Sequence, residues 1–309
     1  MADSKKNAVL LLAHGSPDLV EQVPDFLLRV TGGRPLPQPV VKEVKHRYGL
    51  IGRSPLTELT LKQAELLAGE LCMPVYVGMR NWKPFIADAV RAMVFDGIER
   101  AVAICLAPQN SRTSVGLYRS DLASNQGTAF AVDFVESWHD HPLLIRAFAD
   151  KLRAGLDRAR REARTQEIPI IFTAHSVPER TIADGDPYES QTKETASLVA
   201  REAALASEDW TFAFQSQGMS GGAWLGPRVE DTILILNEKG HRHVFIQPIG
   251  FLCDHVEVLY DIDIGFKQFA AAQGMRLWRA ESLNDSSLLV AALADVARTR
   301  FSQSLRASK

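Results

Sequence analysis

Apolar residues fall into short continuous runs separated by longer amphipathic stretches. Residues 8–13 (AVLLLA) are unbroken apolar and stop at His14-Gly15-Ser16-Pro17. That pattern predicts a strand buried on both faces, then a tight turn. Runs of the same kind at 74–78, 100–106, 129–134, 169–174, 210–215, 243–247 and 275–278 predict further strands. Helical periodicity fills the intervals at 25–30, 56–71, 84–95, 141–164, 187–206, 229–238 and 286–301. Pro84 would open its helix, where a missing N–H costs nothing. Residues 31–39, with Gly32, Gly33 and three prolines, predict a stiff connector. A basic amphipathic stretch at 40–48 and an ordered loop at 49–55 follow it. Strands alternating with helices in this way indicate βαβ crossovers and parallel sheets. The expected fold is α/β, with two Rossmann-like lobes, each a parallel sheet flanked by helices. The lobes are 1–145, joined by the closing helix 286–309, and 146–285, with the long helix 141–164 linking the halves.

Composition narrows the function classes. The 309 residues are 46% hydrophobic and carry 35 basic against 37 acidic residues. Near-balanced charge gives no basic face for nucleic acid. Cys72, Cys105 and Cys253 form no CxxC pair, so neither a zinc site nor a disulfide framework is indicated. The apolar run near the start is too short for a signal peptide, and no run of 18 apolar residues exists. A cytoplasmic protein without a transmembrane segment is expected. No G-x-G-x-x-G, P-loop or G-x-S-x-G follows a strand.

The chemistry concentrates in residues 247–264, QPIGFLCDHVEVLYDIDI. A strand runs into Pro248 and Gly250, and a helical segment follows. Such strand ends face the crevice where α/β proteins bind ligands. Glu257 and Asp261, four apart, are expected on one helix face. Asp254, Glu257, Asp261 and Asp263 have no Lys or Arg among them before Lys267. The segment reads either as a solvated acidic face or as a track for protons or a metal ion. His14 and His175 both follow strands, and a single histidine there is more often structural. His175 stands out because a buried strand breaks at it into a polar, Gly- and Pro-containing loop. Asp186 is expected to cap the helix begun at Pro187. Gly218, Gly221 and Trp224 belong to a loop that either lines a flat apolar ligand or simply buries an indole. The pairs His139/His141 and His241/His243 would share a face in a strand, but neither has a third ligand nearby.

These segments taken together resemble the ferrochelatases. The similarity rests on FTAHSVPERTIADGDPYESQT, WLGPRVEDTI, PIGFLCDHVEVLYDIDI and RAESLND. In the first half it rests on RYGLIGRSPLTELTLKQ, GMRNWKPFIADAV and WHDHPLLIRAFADKL. It runs from about residue 10 to residue 297 of the chain. The resemblance implies a porphyrin cleft between two lobes and insertion of Fe2+ with release of two protons. It makes His175 and Glu257 the catalytic groups, and His175, Glu257 and Asp261 the metal-handling groups. It places His14, Arg47, Ser54, Gln63, Ser111, Thr113, Trp224 and Tyr260 at the porphyrin. Fe2+ enters as substrate, and no cofactor is required. A planar porphyrin must bend and lose two N–H protons as iron enters. An imidazole can take a proton or ligate iron, and a carboxylate on the opposite wall can do the other job.

Some positions depart from the family pattern. Gly265 stands where some relatives carry another acidic residue. His14 stands where short bacterial members often have Tyr, and would ligate the product's iron. The short connector lacks the apolar lip of membrane-associated members, and no C-terminal cluster cysteines occur. With Arg29, Arg34, Arg47 and Arg53 available to propionates, coproporphyrin III is expected over protoporphyrin IX. The expected partners are the porphyrin and Fe2+, with no nucleic acid. The chain is expected to be a monomer that touches the next heme-pathway enzyme transiently. A cobalt or nickel chelatase and a non-catalytic tetrapyrrole or metal carrier are the rival readings.

Overall fold

The computed structural model describes residues 6–217 and 222–307. The chain divides into two compact units. The first comprises Met1–Pro108, Ser114–Trp138 and Asn284–Lys309, and the second Gln109–Thr113 and His139–Leu283.

The first unit is built on β1 (Asn7–Ala13), β2 (Val75–Met79), β3 (Arg100–Cys105) and β4 (Ala131–Val135), all parallel, in the order β2-β1-β3-β4. Its helices are α1 (Val23–Val30), α2 (Gln38–Ile51), α3 (Leu56–Leu71), α4 (Ile86–Phe95), α5 (Val115–Gln126) and the closing α12 (Ser287–Ala307). Residues 8–12 of β1 are completely buried, as an apolar run between two covered sheet faces should be. One face packs Leu10, Leu12, Ala101 and Ala103 against Ile86, Val90 and Met93 of α4.

The second unit repeats that order with β6-β5-β7-β8, from β5 (Ile170–His175), β6 (Trp210–Gln215), β7 (His243–Pro248) and β8 (Arg276–Arg279). Around it lie α6 (Pro142–Ala163), α7 (Glu179–Ala183), α8 (Tyr188–Glu202), α9 (Val229–Glu238), α10 (Val256–Leu259) and α11 (Lys267–Ala272). Between α10 and α11, Asp261–Phe266 forms a π-turn. In this parallel sheet the direction in which successive strands are added reverses between β5 and β7. A crevice therefore opens at their carboxyl ends, where His175 and the β7–α10 loop stand.

Gly250 makes this close approach possible. A Cβ there would stand 2.9 Å from Ala174 Cβ and 3.2 Å from Ala174 Cα, just before His175. Gly250→Ala is expected to destabilise by about 1–3 kcal/mol, the usual cost of overpacking. Gly49 lies in α2 with open space around it, so Gly49→Ala should be neutral or gain up to about 1 kcal/mol. Urea midpoints at unchanged slope would test both.

The structure corrects several boundaries. The helix expected from Pro84 begins at Ile86, where Asp88 accepts the Phe85 N–H at 3.1 Å. Pro84 instead offers its carbonyl to Met79 N–H at 2.7 Å. Helix α2 is longer than expected and takes Pro39 into its first turn, where no N–H is required. Helix α6 does not link halves and lies wholly in the second unit. Among the described residues no helix is long and apolar enough to cross a membrane.

Candidate active site

Strand β5 carries His175 to the sheet edge, and Tyr188 Oη donates to its carbonyl at 3.0 Å. His175 Nδ1 bonds the Ser176 carbonyl, which can only accept, so Nδ1 holds a hydrogen and Nε2 is turned outward. Nε2 lies 3.5 Å from Glu257 Oε1. The other Glu257 oxygen lies 3.6 Å from His255 Nε2, whose Nδ1 bonds the Cys253 carbonyl at 3.0 Å. Glu257 is thus held between two imidazoles. From the next strand, Gln215 Nε2 donates to the Glu257 carbonyl at 2.9 Å. The His175 and Glu257 side chains are each 32% exposed, enough for a substrate to reach both.

The charges reinforce one another. Burial disfavours an imidazolium at His175, but the Glu257 carboxylate, the Ser176 carbonyl and Asp261 favour it more and hold the ring above its ordinary 6.5. Burial likewise disfavours a Glu257 carboxylate, and His175 and His255 overcome this to hold it well below the carboxylate range. Both shifts therefore favour the imidazolium–carboxylate form of the pair. The two groups are neighbours in one unit. The expectation that Glu257 stands on a wall opposite His175 is therefore corrected.

The acidic stretch also differs from a regular helix. Tyr260 O accepts from Ile264 N at 3.1 Å and from Gly265 N at 2.8 Å, and the second bond spans five residues. Such π-turns occur often at functional sites. Val258, Ile262 and Phe266 are buried on the core side of this segment. Asp261 accepts from Ser216 Oγ. Asp254 and Asp263 both pair with Arg279, so the stretch has a counterion after all, supplied from β8. Among the described residues no group of three or more His, Cys, Asp or Glu side chains is arranged to hold a metal ion. The His175, Glu257 and Asp261 set is thus not a closed cage.

The other expected residues fall into separate groups. Ser111 Oγ bonds Thr113 Oγ1 at 2.8 Å and Asp186 Oδ2 at 3.1 Å. Asp186 is buried and also accepts from Tyr188 N at 3.0 Å and Arg112 N at 2.7 Å, which makes it a cap and a loop anchor together. Trp224 bridges Pro178 in the second unit, and Gly218 and Gly221 of the same loop lie outside the described residues. His139 pairs with Glu194 at 2.9 Å, and the His243 ring stacks edge-on with Trp278.

In the first unit His14 is exposed at the end of β1, with its ring edge-on to Phe26 at 5.8 Å. Phe26 also meets Tyr48 and Trp82, and Ser16 Oγ bonds Tyr48 Oη at 3.0 Å. Gly15 has φ +84°, and a Cβ there would meet Trp82 N at 2.8 Å. Arg47 pairs with Glu43 at 2.8 Å on the outside of α2. Ser54 is buried before α3, its Oγ facing Leu56 N at 3.5 Å. Gln63 is fully buried and donates to the Asn284 carbonyl. That bond ties α3 to the start of the chain's return into the first unit. His255 was not singled out as a site residue by sequence. Its position two residues before Glu257 was the available signal.

Comparison with known proteins identifies the family. The ferrochelatase family model matches residues 6–301. A ferrochelatase of Acidobacterium capsulatum is 54% identical over 309 residues, spanning 96% of this chain and 94% of the relative. One of Deinococcus radiodurans is 40% identical, spanning 96% of each. A coproporphyrin III ferrochelatase of Geobacillus thermodenitrificans is 35% identical, spanning 97% of each. Among solved structures, the sirohydrochlorin chelatase of Bacillus subtilis in complex with cobalt superposes with a TM-score of 0.57 at 10% identity, over 96% of this chain and 95% of that one. That likeness speaks for the fold alone. A histidine and a glutamate paired at the switch point of a parallel sheet, on a chain matched almost from end to end, place it in the ferrochelatase family, the metal-chelating enzymes of heme biosynthesis.

Proposed function

We propose that this chain inserts Fe2+ into coproporphyrin III in the cytoplasm, with His175 and Glu257 as the catalytic groups and no further cofactor. The observation that carries the assignment is the 3.5 Å contact between His175 Nε2 and Glu257 Oε1 on two open side chains. Insertion exchanges one Fe2+ for two pyrrole protons. Nε2 can hold either a proton or iron, so the imidazolium must discharge before it does further work. A dication approaching Glu257 weakens the attraction that keeps that proton on His175. That proton leaves to solvent, the carboxylate holds Fe2+, and the freed imidazole accepts the two pyrrole protons in turn and passes each to solvent. Fe2+ suits this pair because it takes both imidazole and carboxylate oxygen as ligands. Asp261 stands close enough to add negative charge at His175.

The porphyrin choice rests on two supports. Arg29, Arg34, Arg47 and Arg53 lie on the first unit's α1–α3 segment and are the groups suited to propionates. Two Geobacillus relatives named coproporphyrin III ferrochelatases match 97% of this chain at 35% identity. Anaerobic Fe2+ insertion followed by absorbance, with coproporphyrin III and protoporphyrin IX in parallel, tests it. Faster turnover of coproporphyrin III is expected. Faster turnover of protoporphyrin IX would overturn the substrate and leave the chemistry. Binding of both without turnover would favour a carrier.

A further inference from the structure

Glu257 sits in the first turn of α10, which has only four residues. A helix that short does not hold itself together. Its flanks are a loop containing Asp254 and a π-turn containing Asp263. Those two aspartates bracket His255, Glu257, Tyr260 and Asp261. One guanidinium reaches both. Arg279 Nε donates to Asp263 Oδ1 at 3.0 Å, and Nη2 donates to Asp263 Oδ2 at 2.8 Å and to Asp254 Oδ1 at 3.1 Å. Its Nη1 donates to the Ala280 carbonyl at 2.9 Å. The Arg279 side chain is only 12% exposed. Ser282 Oγ adds a bond to Asp254 at 2.7 Å, and Lys267 Nζ one to Asp263 at 3.0 Å. Arg279 itself is fixed by the sheet, in register with Ile246 of β7.

We propose that Arg279 is a positioning residue for iron handling, tying Asp254 to Asp263 so that the segment between them presents Glu257 to His175. It touches neither of those two groups and acts through the segment. This inference rests on the reading of Glu257 as an iron-handling residue. The fork geometry matters more than the charge. A lysine offers one point of donation and cannot hold two carboxylates and a carbonyl at fixed angles. Without the fork, the ends of the segment are two like charges free to part. Glu257 then loses its set position while the porphyrin-facing groups of the first unit are untouched.

The test is Arg279→Lys in the full chain, with Arg276→Lys as control. Arg276 lies on the same strand, pairs with Glu162 at 2.6 Å and sits over the Trp278 ring, away from Asp254 and Asp263. Support residues of metal ligands typically alter metal affinity by about tenfold or more. Arg279→Lys is therefore expected to raise KM for Fe2+ about tenfold and leave KM for porphyrin within about twofold. Amide hydrogen exchange across residues 256–266 should quicken, and Arg276→Lys should change none of these. An equal rise in both KM values, or an Fe2+ KM within about twofold of wild type, would overturn the proposal. If Arg279→Lys does not fold, Asp254→Asn removes one arm of the clamp and must show the same split. A wild type that inserts no iron would sink the reading of the site, and unchanged exchange in Arg279→Lys would separately sink the clamp.

Discussion

Glu257→Gln is expected to fold, bind porphyrin and insert Fe2+ at least about a hundredfold more slowly, the scale of losing a positioned acid–base group. The amide matches the carboxylate in shape, so packing beside the buried Val258 survives. What disappears is the negative charge between two imidazoles. Iron loses its anionic ligand, and His175 loses the partner that keeps its pKa up. Anaerobic turnover gives the rate, and quenching of porphyrin fluorescence confirms that binding persists. A rate within about threefold of wild type would remove Glu257 from the chemistry.

His175→Ala should cost a similar factor, and the pH dependence distinguishes it from a merely damaged enzyme. The His175 imidazole titrates above its ordinary 6.5. Below that raised pKa, Fe2+ approaching Glu257 has to drive the proton off His175 Nε2. KM for Fe2+ should therefore fall as pH rises, by about tenfold per unit, and level off above the pKa. His175→Ala should flatten that profile. Stability carries the opposite signs at the two ends. The His175 contribution is present at low pH and is lost as pH rises through the folded pKa. The Glu257 contribution is present at neutral pH and is lost as pH falls through its depressed pKa. The ion pair thus stabilises most between the two values. A wild-type KM for Fe2+ that stays flat over pH ~6–8, the range in which a histidine titrates, would mean that iron binding at Glu257 is not linked to the His175 proton.

The sheets were easy to see in the sequence because buried parallel strands are unbroken apolar runs. β6 and α9 fall at the expected residues. Helix starts were harder. Pro84 carries the signal of a first helical residue, yet the cap comes from Asp88, a contact that periodicity does not encode. The site followed the same division. His175 and Glu257 were visible as residues at strand ends, but their adjacency depends on β5 and β7 pairing across the point where strand order reverses. The acidic stretch lacked a nearby cation along the chain because its counterion, Arg279, arrives from the strand beyond α11. Tyr260 and Gly265 give no sequence sign of the five-residue bond that turns an ordinary helix into a π-turn. Gln63 likewise gives no sequence sign of its bond to the Asn284 carbonyl, 221 residues further along the chain.

The first unit is assembled from both ends of the chain, and this sets an order on folding. Its sheet is complete once residue 135 has been made, but α12, which packs on α3 and β3, is made only after the whole of the second unit. Until then the apolar faces that α12 covers stay open to water. The second unit, apart from the five residues Gln109–Thr113, is continuous from His139 to Leu283. Its folding draws the two ends of that span together and shortens the loop that α12 must close, which lowers the entropic cost of docking. Domains fold as units while the chain is being made. The first unit is therefore completed only when α12 docks, after the half carrying His175 and Glu257 has been made.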